Sequence, residues 1–442
     1  MEEAMKRKSH LAVLLAVLTL ITIIASSLFA LTASAADNPT PPEVENAEAA
    51  CLYDKTHGKA LVMKNADVKL NTSTSAKVMM GLVACEMLSN RLDEAVTVTE
   101  DMLRGADGYS MKLKAGESIK IRDLLYGAIC SSYNDAAYVL ASVCSGSSQS
   151  FVAKMNEKAK SLGAAATTYT NPIGYPDNDA MVTTLSDTLK IALAASENQL
   201  YMEISSAKGY TADATNMSSK REMTNRNKLL VGSYFNSKCS GMNAGISGEA
   251  GGWSIVTLAK DDGAEYICIV LGGKESEDGS EVYAYDTANT LINWACSTYN
   301  NHKLFEKGHP LGEVEIKMTA LGSKKVAYST ATDCEVYIPN HSNPNVTYKI
   351  EYIKDKLTAP VKAGEKIGTA RIYCNGELAG ECDVVLNEDC EANAVLKIIN
   401  LLGDYTTSRP FIITLICFVI LLPTSLLIYR RKNSHRSSYR KF

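Results

Sequence analysis

Two residues near the start of a predicted helix have the types and spacing needed for acyl transfer. Thr74 and Lys77 are three positions apart, so their side chains share one face of the helix. A hydroxyl at a helix N-terminus is favoured as it gains negative charge, because the helix dipole is positive there. A neighbouring lysine that burial keeps neutral can accept the proton. The competing interpretation is a threonine that caps the helix beside a solvated lysine.

Other catalytic arrangements receive less support. The sequence holds six histidines, and none accompanies a serine or cysteine in a recognised nucleophile motif, so a Ser-His-Asp mechanism is not favoured. Lysine is the usual alternative base for a hydroxyl nucleophile. No HExxH or CxxC spacing occurs, so we expect neither a metal centre nor a cofactor.

The composition is that of a globular protein with more than one domain. Of the 442 residues, 46% are hydrophobic and 21% are charged. These values exclude a disordered or fibrous chain, and the length suits two domains. Lys and Arg number 45 against 49 Asp and Glu, which gives a net charge of −4. Because there is no basic excess, we expect no nucleic-acid partner.

The N-terminal 36 residues have the pattern of a secretory signal. Three basic residues at 6–8 precede an uncharged stretch at 11–36 that ends in Ala33-Ser34-Ala35. A basic start, an apolar centre and a small-x-small ending predict export, with cleavage near Ala35 or Ala36. The alternative is an uncleaved signal anchor, because the apolar stretch is long. Both interpretations place the following chain outside the cytoplasm.

A second apolar segment lies near the C-terminus. Residues 411–429 carry no charge, and a basic tail follows at 430–442. This length spans a bilayer, and the basic residues predict that the C-terminus stays inside. Pro423 can kink such a span without forbidding it. The alternative is a buried core helix, which the abrupt basic tail disfavours. We therefore expect a single-pass membrane protein whose exported part is tethered through a stalk at 391–410.

The twelve cysteines do not form the pattern of a disulfide framework. Cys417 falls in the predicted span, which leaves an odd number outside it, scattered among apolar positions. We interpret most of them as small buried hydrophobic residues. A pair such as Cys382 and Cys390 stays open as a candidate disulfide.

The chain between 37 and 300 predicts an α+β domain. Two short strands flanking the turn at 54–58 indicate a hairpin. Residues 74–88 place apolar side chains at helical spacing, with one buried face. The remaining elements of this domain are predicted helices at 121–130, 135–143 and 286–294 and predicted strands at 253–259 and 266–271. Strands at both ends around a helical middle favour this fold class.

Residues 310–390 have a different sequence pattern, which predicts short strands separated by turn residues. This spacing is typical of a small β-sandwich or barrel-like domain. The predicted strands lie at 314–318, 326–329, 334–338, 349–352, 366–373 and 382–385.

The segment around Thr74 and Lys77 resembles the SxxK region of the low-molecular-mass penicillin-binding proteins, which are the serine-type D-alanyl-D-alanine carboxypeptidases of peptidoglycan metabolism. Further segments follow in the family's order: 132–134 is similar to its SxN motif, 170–175 to its NPxG loop, and 243–245 falls where the family has KTG. The resemblance implies an α+β penicillin-binding-protein/β-lactamase-like domain. A small all-β domain and one C-terminal transmembrane helix would follow it.

The resemblance implies a role for each matching residue. Thr74 takes the place of the nucleophilic serine, Lys77 that of the base, and Ser132 that of the residue that relays a proton. The backbone N–H groups of Thr74 and Ile246 would bind the oxyanion. The positions implied in substrate binding are Asn134, Asn243, Ala244, Gly245 and Ile246.

Three of these positions depart from the family pattern. Thr74 keeps a hydroxyl, but its methyl group crowds a site shaped for serine. Asn243 replaces the lysine that would meet the terminal carboxylate of the stem peptide, an interaction of about 1.5–3 kcal/mol. Ala244 removes a hydroxyl that would contact the same carboxylate. Lys228 and Lys238 are the nearby cations that would have to take over.

Two functions therefore follow from the sequence. The first is an exported carboxypeptidase that trims D-Ala from peptidoglycan stem peptides through an acyl-enzyme, with reduced activity. The second is a pseudoenzyme that binds peptidoglycan or an envelope partner. A third, weaker reading is β-lactamase activity, since the fold alone does not separate the substrates. A stem peptide or a β-lactam is the expected ligand.

Overall fold

The computed structural model describes residues 39–71, 73–175, 181–247, 252–319, 322–340, 345–354, 356–374, 376–395, 398 and 409–438. The predicted signal segment lies outside the described residues. So do most of the stalk and the last four residues of the basic tail.

The described chain forms two compact units. The first holds the described residues of Asp37–Asn300 together with Pro339 and Asn340, and the second holds those of Asn301–Ile338 and those after residue 344. The strands are β1 (Ala47–Asp54), β2 (Lys59–Lys64), β3 (Ala95–Thr97), β4 (Ser118–Lys120), β5 (Gly209–Ala212), β6 (Arg221–Thr224), β7 (Cys239–Ile246), β8 (Trp253–Asp261), β9 (Ala264–Gly273), β10 (Tyr299–Phe305), β11 (Pro310–Thr319), β12 (Gly322–Thr330), β13 (Cys334–Pro339), β14 (Val346–Tyr352), β15 (Leu357–Thr358), β16 (Lys366–Cys374) and β17 (Glu377–Leu386). The helices are α1 (Ser73–Leu88), α2 (Ile121–Leu125), α3 (Asn134–Ser145), α4 (Ser148–Ser161), α5 (Leu185–Glu197), α6 (Gln199–Ser206), α7 (Tyr283–Thr298) and α8 (Arg409–Ser438).

A five-stranded sheet in the order β2-β1-β9-β8-β7 forms the first unit's framework. Its central strands β8 and β9 are buried along most of their length, because α1 and α5 pack on one part of the sheet and α7 on another. The predicted hairpin is confirmed, since β1 and β2 pair antiparallel around the turn. The α+β fold predicted for this part of the chain is therefore confirmed.

Helix α1 is more deeply buried than its sequence predicts. The apolar spacing indicated one buried face, but residues all round the helix are buried, from Ala76 and Val78 to Gly81 and Ala84. The helix lies between the sheet and the helices α3, α4 and α5. A helix enclosed on all sides loses its amphipathic pattern, which is why the single-face prediction was wrong.

The predicted helix at 121–130 is interrupted. Helix α2 ends at Leu125, and the next five residues, Tyr126–Cys130, wind as a π-helical turn. Such wider turns are rare and are often found at functional sites. The turn leads directly into Ser131 and Ser132, and helix α3 begins two residues later at Asn134. The segment that resembles SxN is therefore held between a π-turn and a helix start.

The second unit contains a six-stranded sheet in the order β14-β16-β17-β12-β11-β15 and a two-stranded sheet of β10 and β13. Its core is formed by apolar side chains such as Ile316, Val326, Ile372 and Val384, all buried. The six strands predicted from the sequence are found here, each longer than predicted. The all-β character of this region is confirmed.

Helix α8 contains a segment, Pro410–Ile428, that is long and apolar enough to cross a membrane, with a mean hydropathy of 2.8.

Nine of the twelve cysteines are buried, and each of the twelve is a free thiol. The candidate pair Cys382 and Cys390 is therefore not joined, and the buried cysteines pack as small apolar side chains.

Candidate active site

Lys77 lies at the centre of the site and is bonded to the segment that follows the π-turn. Its Nζ donates to the carbonyl oxygen of Ser132 at 2.7 Å and to Ser132 Oγ at 2.8 Å. A third bond at 2.9 Å reaches Asn134 Oδ1. All three donors of the ammonium are therefore matched by acceptors from one short segment.

The surroundings of Lys77 favour its neutral form. Burial among α1 and the SxN segment, and to a smaller extent the positive charge of Arg226, lowers the pKa of Lys77 to about 7. No carboxylate pairs with the ammonium within the described chain, so no negative charge offsets the desolvation. An amine that is partly unprotonated at neutral pH is suited to accept a proton from a hydroxyl.

The SxN segment and the residue before it are fixed by hydrogen bonds from their side chains to backbone carbonyls of other segments. Ser131 Oγ donates to the carbonyl of Thr224 at 2.9 Å, and Asn134 Nδ2 donates to the carbonyl of Asp107 at 2.6 Å. Between them Ser132 takes the left-handed conformation, with φ +60°. That conformation costs a non-glycine residue about 1–3 kcal/mol and persists only where the surroundings enforce it. The segment thus presents the Ser132 hydroxyl to Lys77 in one fixed orientation.

Thr74 occupies the second position of α1 but is not bonded to Lys77. Its Oγ1 donates to the carbonyl oxygen of Ser254 on β8 at 3.2 Å, and the residue has no exposed surface. No hydrogen bond between Thr74 and Lys77 occurs in the described structure. The hydroxyl that the resemblance names as nucleophile is therefore directed to the sheet instead of the base.

The two serines beside Thr74 also have other partners. Ser73 Oγ donates to the carbonyl of Ile246 at 3.1 Å, and the Ser73 backbone N–H donates to Ser247 Oγ at 2.7 Å. Ser75 Oγ lies 3.2 Å from the hydroxyl of Tyr169. These bonds fasten the start of α1 to the end of β7 and to the core.

Strand β7 carries the four positions that correspond to KTG and the residue after it. A Cβ added to Gly245 would lie 3.9 Å from Thr74 Oγ1, so this face of β7 is turned towards α1. Asn243, two residues earlier, belongs to the same face. It is 4% exposed, and its Oδ1 has no hydrogen-bond partner. Ala244 is fully buried and belongs to the opposite face, whereas Ile246 is exposed.

The loop resembling NPxG closes over the start of α1. Gly174 has φ +73°, and a Cβ at this position would lie 2.3 Å from Ser73 Cα. Asn171 holds the loop, because its Nδ2 donates to the Tyr175 carbonyl at 2.7 Å and its Oδ1 accepts from the Tyr175 N–H at 3.1 Å. Only glycine permits this close approach of the loop to the helix. The segment at 249–251 lies outside the described residues.

Lys228 and Lys238, the two cations that would have to replace the lysine of KTG, both have other partners. Lys238 pairs with Asp261. The ammonium of Lys228 lies over the rings of Trp253 and Tyr234, at 5.8 and 5.9 Å from their centroids.

Sequence reasoning missed Arg226, the cation whose field reaches Lys77. Its guanidinium lies 4.6 Å above the centre of the Tyr109 ring and has no ion-pair partner within the described chain. The neighbours Asn225 and Asn227 are buried and fix the loop through bonds to the carbonyls of Ala207 (2.7 Å) and Gly241 (2.9 Å). The tripeptide Asn-Arg-Asn, a cation between two turn-forming residues, was the signal available in the sequence.

Comparison with protein families and curated relatives agrees with the family that the sequence resembles. Residues 35–275 match the D-alanyl-D-alanine carboxypeptidase family, and residues 299–392 match the C-terminal domain of penicillin-binding protein 5. The chain is 26% identical to the D-alanyl-D-alanine carboxypeptidase DacF of Bacillus subtilis, over 81% of its own length and 90% of that protein. It is 29% identical to the carboxypeptidase DacC of Escherichia coli, over 82% and 89%.

Solved structures agree with the fold. Penicillin-binding protein 5 of Haemophilus influenzae superposes with a TM-score of 0.58 at 24% identity, over 80% of this chain and all of that one. The D-alanyl-D-alanine carboxypeptidase of Mycobacterium tuberculosis superposes with a TM-score of 0.52 at 26% identity, over 59% of this chain and 94% of that one.

Proposed function

The chain belongs to the D-alanyl-D-alanine carboxypeptidase family of low-molecular-mass penicillin-binding proteins, and on that premise we propose that it is an exported, membrane-anchored carboxypeptidase with reduced activity. Its substrate is the stem peptide of peptidoglycan, from which it removes the terminal D-Ala through an acyl-enzyme. The apolar segment of α8 serves as the anchor.

The observation that carries this proposal is the environment of Lys77. Its amine has a pKa near 7 and lies 2.8 Å from a serine hydroxyl. A base with that pKa removes a hydroxyl proton near neutral pH, a contribution of about 10²–10⁴ in rate. Strongly shifted pKa values cluster at catalytic sites, which favours catalysis over binding alone.

The reduction in activity follows from the replaced positions. The hydroxyl at position 74 must leave the carbonyl of Ser254 before it can meet Lys77. Asn243 brings no charge to the substrate carboxylate. We propose that Arg226 receives this carboxylate, because its guanidinium is unpaired in the described chain and its field reaches Lys77.

A second candidate function is the pseudoenzyme, which is favoured by the bond of the Thr74 hydroxyl to Ser254 and by the Asn243 side-chain oxygen that has no hydrogen-bond partner. Such a protein would bind stem peptides or an envelope partner without turnover. The orphaned Asn243 oxygen would then accept a hydrogen bond from the bound ligand.

Release of D-Ala from a stem pentapeptide separates the two functions. The purified full chain in detergent is incubated with the peptide, and free D-Ala is measured. We expect release by the native protein and none by Lys77→Met, a variant that keeps an unbranched side chain one atom shorter and removes the amine. Equal release by both proteins would contradict the proposal, and binding of the peptide without any release would assign the pseudoenzyme function.

A further inference from the structure

Two buried cysteines of the second unit face each other across its two sheets. Cys334 begins β13, a strand of the two-stranded sheet, and Cys382 lies on β17 in the six-stranded sheet. We propose that Cys334 and Cys382 are oxidised to a disulfide that joins the two sheets. The sequence suggested Cys390 as the partner of Cys382, but in the structure Cys334 takes that place.

Two contacts fix the register of β13 on β17. A Cβ added to Gly380 on β17 would lie 3.0 Å from Val336 Cγ1, so the strands approach each other closely there. The N–H of Ala331, three residues before β13 begins, donates to the carbonyl of Asp383 at 2.8 Å. Residue numbers thus rise along one strand as they fall along the other, and the two strands run in opposite directions.

This register brings the two thiols together. Side chains two positions apart in a strand share a face. Cys382 lies two positions after Gly380, and Cys334 lies two positions before Val336, so the cysteines are opposite each other next to the Gly380 contact. Their thiols are within hydrogen-bonding reach of each other. A disulfide needs Cβ atoms about 3.5–4.5 Å apart, far closer than the roughly 10 Å between packed sheets, and the missing side chain of Gly380 permits that approach.

Burial determines when the bond forms. Cys334 is 1% exposed and Cys382 is 6% exposed. Burial raises the pKa of both thiols, and at Cys382 the hydrogen bond from Cys334 partly offsets the rise. Because the thiolate is the attacking species, exchange is slow once the unit is closed. The bond therefore forms while the unit folds, with Cys382 as the first nucleophile, and is afterwards shielded from reductants.

The oxidant is a second disulfide, such as oxidised glutathione. The Cys382 thiolate attacks one sulfur of the oxidant, which forms a mixed disulfide and releases the other half as a thiol. The Cys334 thiolate then attacks the Cys382 sulfur and releases the second half. Two electrons pass to the oxidant, and the two cysteine protons end on the two released thiols. Oxidants of this class act outside the cytoplasm, where the proposed function places this unit.

Mapping of the cross-link tests the proposal. The full chain is synthesised in a cell-free system with detergent, in the presence of either oxidised glutathione or the reduced form alone. Free thiols are alkylated, and the protein is digested without reduction and analysed by tandem mass spectrometry. We expect the peptides that contain Cys334 and Cys382 to be joined in the oxidised sample only. Oxidation should also raise the midpoint of a thermal unfolding transition by at least about 5 °C, because the bond closes a long loop.

The cysteine variants make the test specific. The rise in the unfolding midpoint on oxidation is measured within each protein, so a variant that is less stable as such does not obscure it. The rise should be absent in Cys382→Ala and retained in Cys390→Ala, the matched control from the same core. Alkylated Cys334 and Cys382 in the oxidised sample, or a link from Cys382 to Cys390, would overturn the proposal. Either result would leave the proposed function intact, because the catalytic site belongs to the first unit.

Discussion

The site differs from a simple loss of motif residues, because Lys77 keeps its hydrogen bonds to the SxN segment. Lys77 keeps its bonds to Ser132 and Asn134 and a pKa near neutrality. The changes are concentrated on the other side of the site, at Thr74 and Asn243. Under the proposed function, Lys77 still abstracts the proton, and the two features that the substitutions would weaken are the placement of the family's nucleophile and the recognition of the substrate carboxylate.

Restoring the family residues tests that division. We predict that Thr74→Ser combined with Asn243→Lys and Ala244→Thr raises the rate of penicillin acylation at least about tenfold, since the lysine alone restores about 1.5–3 kcal/mol of carboxylate binding. Intact-mass spectrometry over time measures the rate. Thr74→Ser alone is the matched control, and it should recover only part of the gain. No increase in the triple variant would show that the alignment at 243–245 is wrong.

Arg226 gives a second prediction at this scale. In Arg226→Gln the positive charge that helps lower the pKa of Lys77 is absent, so that pKa rises and more of the amine is protonated at neutral pH. We expect the rise of the D-Ala release rate to move to higher pH, and KM to increase for peptides with a free carboxylate but not for their amides.

Lys228→Gln is the control for this variant, because Lys228 is also a cation lying over aromatic rings. It should change neither the pH dependence nor the preference for a free carboxylate. Equal effects of the two substitutions would show that Arg226 has no specific part in lowering the pKa of Lys77 or in binding the carboxylate.

For single residues, the sequence predicted which residues form the site better than it predicted the contacts between them. The spacing of Thr74 and Lys77 and the motif order brought Lys77, Ser132 and Asn134 to one place, where the structure joins them. The bond from Thr74 to Ser254 joins residues 180 positions apart, so local spacing held no information on it. Arg226 was missed for the same reason, since its ring partner Tyr109 is distant in sequence.

At the level of elements, the loop that resembles NPxG determines where α1 begins. We predict that Gly174→Ala destabilises the protein by more than the about 1–2 kcal/mol of a left-handed alanine, because its Cβ would overlap with Ser73 Cα. Thermal and denaturant unfolding measure the change, and D-Ala release should fall as the start of α1 moves.

Gly163→Ala is the matched control, since Gly163 has φ +74° and an added Cβ would meet nothing within 4 Å. It should show the conformational cost alone and keep its activity. Equal destabilisation by both substitutions would mean that the loop moves to accommodate the added Cβ and does not position α1.

The elements predicted from the sequence were those whose apolar residues recur with a clear helical or strand period. Alternation and turn residues identified the hairpin and the strands of the second unit. Helix α1 was located but its burial was not, because the helices packed around it are separate in sequence. The π-turn at Tyr126–Cys130 has no periodic signal of its own. Helix α4 was missed although Phe151, Val152, Met155 and Ala159 have helical spacing, since polar residues dominate the rest of that helix.

For the whole molecule, the apolar segment of α8 predicts how the protein is held at the membrane. We expect that removal of residues 409–442 moves the protein from the membrane fraction to the soluble fraction while penicillin acylation is retained, because the site is built within the first unit. Fractionation and a labelled penicillin measure the two properties. Pro423→Leu is the control and should stay with the membrane. A truncated protein that remains membrane-bound would show that the N-terminal segment is an uncleaved anchor.

The most direct test of the account is the pH dependence of D-Ala release by the full chain. Lys77 must be neutral to act as a base, and its pKa is lowered from 10.5 to about 7. Activity should therefore be low in acid, rise as the pH passes through about 7, and level off above it. A rate that is flat across this range, or that rises only near the ordinary pKa of lysine, would contradict the assignment of Lys77 as the base.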